Sequence, residues 1–289
     1  MGEGLVVKAY GGYCFVDDGR EVTRCTLRGR LRAEGMVIAG DRVRFSITQQ
    51  GRGVVEDVLP RTSMLYRPNV ANLDQIIIVV AFHDPAPVLN LIDRMLVLSE
   101  ASEVAPRICL NKTDLPHGEN TEWLDVYGAA GYQVLLTSAV AGSGIRELAD
   151  VLQGLISVFA GQSGVGKSSL INRLIPGLEL PTGTVSRKLK RGRHVTRHVE
   201  LLTFNKETWV ADAPGFSSLR LPDISREMLS DLFPEMRVLR GQCRFHSCLH
   251  DQEPNCAVKS AVADNSIAEF RYRNYIGFLH EVIAAERRY

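Results

Sequence analysis

The 289-residue sequence lacks a long hydrophobic run: its longest apolar stretch, "IIIVVAF" at 76–82, is far too short to span a bilayer and reads as a buried strand. It also lacks net charge, which is only +1, so nothing global announces a nucleic-acid partner. The opening "MGEGLVVKAY" has neither a basic leader followed by an apolar block nor a Ser or Thr at position 6 for acylation. A cytoplasmic protein without membrane contact is the expectation. No internal repeat or low-complexity tract occurs. What is present, 45% hydrophobic and 23% charged residues, is ordinary for a globular chain long enough for two or three domains.

The charge that exists is local. "SRKLKRGRHVTRH" at 186–198 carries six lysines and arginines and no acid. The cysteines are also unevenly placed: Cys14, Cys25 and Cys109 lie in apolar or strand-like stretches, whereas Cys243, Cys248 and Cys256 gather around histidine. In a chain without a leader this favours metal over disulfides.

Along the chain, five short β-rich pieces up to residue 65 are broken by Gly and Asp turns, the grammar of a small all-β barrel. "LPRTSMLYRPN" reads as a proline-bearing linker. From residue 75 strands alternate with helices, which predicts a parallel, doubly wound α/β sheet. Beyond about 222 the chain turns helical and polar around the cysteine cluster. The expected domains are 1–65, 66–222 and 223–289.

"GQSGVGKS" fits the phosphate-loop pattern G-x-x-x-x-G-K-S, follows the apolar strand "LISVFA" and opens a helix. Gly161, Gly164 and Gly166 let the backbone curl, so that the amides of Gln162, Ser163, Val165 and Ser169 can face phosphates. Lys167 would reach the outer phosphates and the Ser168 hydroxyl would ligate Mg²⁺. "NKTD" supplies Asn111, Lys112, Thr113 and Asp114 after the apolar "RICL". The Asp114 carboxylate can accept both N1 and N2 protons of guanine, whereas adenine offers no such donor pair. Asn111 would hold the base edge and loop geometry, and Lys112 would lie over the ring. In "TSA", Ser138 and Ala139 are placed to offer amides to the guanine oxygen.

"VADAPGF" adds Asp212, suited to hold Mg²⁺ through water, and Gly215, whose amide could sense the γ-phosphate. Phe216 follows where many GTPases carry a water-orienting Gln, so another group must position water or hydrolysis must be slow until a partner helps. His194 and His198 are the nearest candidates in sequence, with phosphate or RNA contact as the competing role. Thr196, ahead of Thr184, would complete the Mg²⁺ shell.

Guanine reader first and phosphate loop second reverses the usual chain order; the sheet is circularly permuted. A doubly wound domain tolerates such a cut provided the new termini lie at the surface. The loop after Asp212 then leads into the C-terminal segment and not to another strand. There, "CRFHSCLHDQEPNC" presents Cys243, Cys248, His250 and Cys256 as C-x4-C-x-H-x5-C, a closed tetrahedral set for structural Zn²⁺, with His246 an alternative ligand.

Taken in order, these motifs resemble the RsgA (YjeQ/YloQ) family of circularly permuted small-ribosomal-subunit biogenesis GTPases. The likeness covers nearly the whole chain. It implies an N-terminal OB-fold, a central permuted P-loop GTPase domain and a C-terminal, mainly helical zinc domain. It also implies a monomer using Mg²⁺ with GTP or GDP and partnered by the small ribosomal subunit and its rRNA, which stimulates hydrolysis. The family's switch segment usually reads "GRHTTTH"; here Val195 and Arg197 flank the retained Thr196. Asn255 stands where glycine is common.

Overall fold

The computed structural model describes the chain apart from residues 30, 32–36, 49–51, 67, 117–120, 183–198, 206, 213–220 and 288–289 and the side chains of Tyr66 and Asp212. The five expected β-rich pieces form β1 (Gly2–Tyr10), β2 (Tyr13–Asp17), β3 (Val22–Leu27), β4 (Arg42–Ile47) and β5 (Gly53–Val58). They close into a barrel of order β1-β2-β3-β5-β4, with β4 returning to β1 and β3 parallel to β5. This is an OB-like arrangement. Alternation explains it: Val6, Cys14, Val16, Cys25, Val43, Phe45 and Val55 face inward as one core. Leu5 and Val7, on the face of β1 opposite Val6, join the core of the neighbouring domain, and the register shifts between Val6 and Lys8.

The proline-bearing stretch is more than a linker. It folds into a hairpin, β6 (Met64–Tyr66) and β7 (Asn69–Ala71), stitched to the barrel. The Ala71 amide donates to the Ala39 carbonyl at 2.9 Å, and Arg61 grips the fully buried Asp41 carboxylate at 2.7 and 2.9 Å. These residues fix the angle at which the barrel meets the next domain.

The central sheet has the order β10-β9-β8-β11-β13-β12. It comprises β8 (Gln75–Ala81), β9 (Ala105–Asn111), β10 (Gln133–Leu136), β11 (Ile156–Ala160), β12 (Leu202–Asn205) and β13 (Thr208–Asp212). Helices α1 (Leu89–Ala101), α2 (Glu122–Ala129), α3 (Ile145–Leu152) and α4 (Lys167–Leu174) connect and cover it. Buried on both faces, β8 needs apolar residues at successive positions: Ile76, Ile78 and Val80 enter one core, Ile77 and Val79 the other. One expectation needs correction. The sheet is not wholly parallel, because β12 runs antiparallel to β13. Two intervening residues suffice for a hairpin but not for a crossover.

The C-terminal unit contains a 3₁₀ turn (Leu229–Leu232) and helices α5 (Pro234–Arg237), α6 (Ala257–Ala263) and α7 (Glu269–Glu286). It docks on α1, which contributes Val97 to its core. Arg271, 1% exposed, donates to Asp93 at 2.6 Å and to Glu235 at 2.6 and 3.1 Å, beneath the rings of Tyr127 and Phe233. Asp93 also accepts from Tyr127 and Asn274, each at 2.6 Å. Burial alone would lower the Arg271 pKa, but the two carboxylates outweigh it and hold the guanidinium charged. Arg271→Ala strands Asp93 without its countercharge and is expected to lower unfolding free energy by about 3–5 kcal/mol. Urea melts of Arg271→Ala and wild type check this; a difference below about 1 kcal/mol would contradict it. Among the described residues no helix is long and apolar enough to cross a membrane.

Candidate nucleotide and metal sites

The phosphate loop leaves β11, which lies between β8 and β13, and enters α4 with Gly166 at its N-cap. Backbone geometry demands glycine twice. Gly161 has φ +137° and a Cβ there would sit 2.2 Å from the Val79 carbonyl; Gly166 has φ +98° and a Cβ there would meet Asn111 Nδ2 at 2.3 Å. Lys167 Nζ donates to the carbonyls of Gly161 and Gln162 at 3.0 and 2.9 Å, which curls its ammonium back over the loop. Ser163 and Gly164 are exposed at the crest, Val165 is buried beneath, and Ser168 and Ser169 are half-buried on the first helical turn. A helix N-terminus opened by such a loop is suited to hold an anion.

At the end of β9, Asn111 serves loop geometry. Its amide donates to the Val165 carbonyl at 2.8 Å, and its oxygen accepts from the Ala139 amide at 3.1 Å. One side chain thus ties the phosphate loop to the base-reading loop. Lys112, at φ +65°, donates to the Asp84 carbonyl, and Thr113 Oγ1 donates to the Thr137 carbonyl at 3.0 Å. The exposed Asp114 carboxylate accepts from the Ser138 hydroxyl. Of the two amides expected to face the guanine oxygen, that of Ser138 donates to Ser143 at 3.0 Å. That of Ala139 would have to share its bond with Asn111.

The sequence reading missed the 82–88 stretch, which lies against both loops: Asp84 holds Lys112, and the Val88 amide reaches Gln162 Oε1 at 3.4 Å. Its signal was position, since it leaves the carboxyl end of a central strand, where ligands of α/β sheets bind. The backbone of Asp212 sits at the same sheet end, paired with Phe159 of β11. Thr184, His194, Thr196, His198, Gly215 and Phe216 lie outside the described residues.

The second site is the cysteine cluster. Ligand atoms of Cys243, Cys248, His250 and Cys256 lie within 4.8 Å of one another. His250 Nδ1 is 3.5, 3.5 and 3.3 Å from the three sulfurs, and the Cys243 and Cys256 sulfurs are 3.9 Å apart. A tetrahedron with metal–sulfur bonds of about 2.3 Å and a metal–nitrogen bond of about 2.0 Å has edges of about 3.5–3.8 Å. The four side chains therefore fit one metal ion. His246, the alternative ligand, is exposed and outside the cluster. Burial pushes the Cys248 thiol up to about 12 and the His250 imidazole down, so a cation beside them would favour the Cys248 thiolate, and burial favours the neutral imidazole that binds metal. Around them Tyr272 and Tyr275 donate to the His250 and Leu249 carbonyls at 2.7 Å each, and Glu253 accepts from two amides of the loop. Asn255, at φ +55°, occupies the left-handed region that glycine and asparagine share.

The RsgA N-terminal domain model matches residues 3–55 and the RsgA GTPase model residues 58–222. The small ribosomal subunit biogenesis GTPase RsgA of Moorella thermoacetica is 49% identical over 288 residues, covering 99% of each chain. That of Carboxydothermus hydrogenoformans is 45% identical over 287 residues, again 99% of each. Among solved structures, YjeQ from Thermotoga maritima superposes with a TM-score of 0.80 at 38% identity, covering 97% of this chain and 98% of that one. YloQ, a circularly permuted GTPase, does so at 0.81 and 35%, covering 99% and 96%. With its closed barrel, its sheet read in permuted order and its two motif loops tied together by Asn111, the chain belongs to the RsgA family of circularly permuted GTPases.

Proposed function

We propose that this GTPase acts in late maturation of the bacterial small ribosomal subunit, binding the particle and its rRNA with GTP and leaving after hydrolysis. The observation that carries the reading is the joining of three parts in one chain whose full length matches relatives of that name. The nucleotide loops would bind GTP through Asn111 to Asp114, Ser138, Ala139 and residues 161–169, with Asp212 and Gly215 at the γ-phosphate. Ser168, Thr196 and Asp212 would hold Mg²⁺, which when bound neutralises charge on the β- and γ-phosphates. The Cys₃His set suits Zn²⁺, and with all four positions filled by protein its role is structural. The boundaries 1–65, 66–222 and 223–289, a monomeric state and a cytoplasmic setting complete the proposal.

The barrel supports it by lying against the nucleotide domain. The Leu201 amide, directly before β12, donates to Val7 of β1 at 2.8 Å, and Lys8 pairs with Glu200 at 2.6 Å. The test is GTP turnover with and without purified small subunits. Stimulation is expected, and equal rates would refute the role. Phe216 offers no hydrogen bond to water, so His194→Ala or His198→Ala is expected to reduce the stimulated rate by roughly 10²–10⁴-fold. Unchanged rates in both variants would remove the histidines from the chemistry.

A further inference from the structure

Helix α1 runs between the nucleotide loops and the C-terminal unit, and it is bonded at both. At its start Val88 has no side chain to cap the helix, and its amide donates to Gln162 Oε1 of the phosphate loop at 3.4 Å. The strap before it, residues 82–88, meets the nucleotide loops twice more. The Asp84 carbonyl accepts from Lys112, and Pro85 Cδ lies 3.6 Å from where a Gly164 Cβ would stand. Further along, Asn90, Asp93 and Arg94 share one helical face by their spacing, and all three bond α7. Asn90 donates to Asn274 at 3.1 Å, and Asp93 accepts from Asn274 and Arg271 at 2.6 Å each. Arg94 donates to both Glu281 oxygens at 2.9 and 2.8 Å, with its guanidinium 4.6 Å from the Phe278 ring centroid. From α7, Tyr272 and Tyr275 hold the Cys₃His loop through the carbonyls of His250 and Leu249. Phosphate loop and metal loop are thus joined by bonded groups, and no link in that path lies in the segment after Asp212.

We infer that α1 positions the phosphate loop and is itself held by α7, so that nucleotide binding and docking of the C-terminal unit strengthen each other. The inference goes beyond the maturation role and holds whatever particle the GTPase acts on. A diphosphate bound in the loop fixes its peptide groups, and with them Gln162 and Gly164, the two points where the strap rests. An ordered strap presents α1 to α7 at a smaller entropic cost. The converse follows by linkage, because a docked α7 leaves less of the strap to order when nucleotide arrives. The thirteen residues of α1 transmit this as one rigid rod. Both strap contacts fall on the part of the loop that cradles the α- and β-phosphates, so GDP should act as well as GTP. A segment that senses the γ-phosphate would answer to GTP alone.

The experiment measures hydrogen–deuterium exchange of the full-length protein alone, with saturating GDP and with a non-hydrolysable GTP analogue. Amides of residues 88–94 and 271–279 are expected to exchange roughly five- to hundredfold more slowly with either nucleotide. Slowing with the GTP analogue alone would assign the link to the segment after Asp212, and no slowing with either would remove it; both results overturn the inference. Calorimetry reads the converse. Arg94→Ala and Asn274→Ala alter the α1–α7 contact without touching a nucleotide loop, and each should weaken GDP binding about fivefold or more. A merely structural role would lower the melting temperature of these variants and leave GDP affinity, measured well below the melt, unchanged. Gln162→Ala keeps the loop backbone but removes the bond to Val88, so at saturating GDP it should no longer slow exchange in α7. Wild-type GDP affinity in both contact variants, or undiminished slowing in Gln162→Ala, would show that α1 does not carry the coupling.

Discussion

Cys256→Ala is expected to unfold the C-terminal helical unit while leaving the barrel and central sheet folded. The ligand loop has almost no core of its own: Gly241, Gln242 and Arg244 to Ser247 are all exposed. What would hold it is a metal ion on the Cys₃His set, together with the bonds from Tyr272 and Tyr275 to the carbonyls of His250 and Leu249. Metal binding in small cysteine–histidine sites contributes about 10–16 kcal/mol of apparent folding free energy, so losing one of three thiolates weakens a term as large as the whole stability of a typical domain. Cys256 also stands at the N-cap of α6, and the Ala257 amide points at the Cys243 sulfur at 3.4 Å, so the damage should pass into α6. The measurement is metal stoichiometry with near-ultraviolet circular dichroism during heating. An early transition absent from wild type is expected, and a chelator should reproduce it. Cys256→Ser controls for volume. Full metal content and a parental melt in Cys256→Ala would show that the site does not hold the unit together.

Asp114→Asn is expected to lower GTP affinity by on the order of 10²–10⁴-fold. The carboxylate would accept two guanine N–H groups, and charge-assisted hydrogen bonds are worth about 1.5–3 kcal/mol each. Asparagine keeps the shape but turns a donor toward a donor. The surrounding loop should not move, because the Ser138 hydroxyl can still donate to the amide oxygen and still accepts from the Ala141 amide at 2.9 Å. A base carrying oxygen in place of the 2-amino group restores the pairing, so xanthosine triphosphate should bind the variant better than GTP does. Isothermal titration with both nucleotides is the check. Equal GTP affinity in Asp114→Asn and wild type would mean that guanine is read elsewhere.

Much of this architecture was legible because its signals are local. The five barrel strands alternate inward and outward residues, the phosphate loop declares itself by glycine spacing, and the three cysteines with His250 lie within fourteen consecutive positions. What was hidden depends on distant partners. Nothing around Arg271 in "EFRYRNY" shows that it will be buried against Asp93, 178 positions earlier. Likewise Asn111 reads as holding the base edge and its loop, but nothing near it in sequence names Val165 as the partner of its amide. The hairpin in "LPRTSMLYRPN" was masked by its prolines, and the antiparallel β12 by the sameness of apolar strands whatever their direction.

The place of β8 in the sheet bears on how the chain is made. Its two neighbours are β9, which follows after a single helix, and β11, which begins about 75 residues after β8 ends. A nascent chain can therefore pair one edge of "IIIVVA" early, but the other edge, with apolar side chains on both faces, stays open until the phosphate-loop strand has emerged. In the unpermuted order the phosphate-loop strand would be made first and would be waiting for its partner. Permutation thus leaves an edge that is apolar on both faces open during synthesis itself, when the growing polypeptide is still attached to a ribosome.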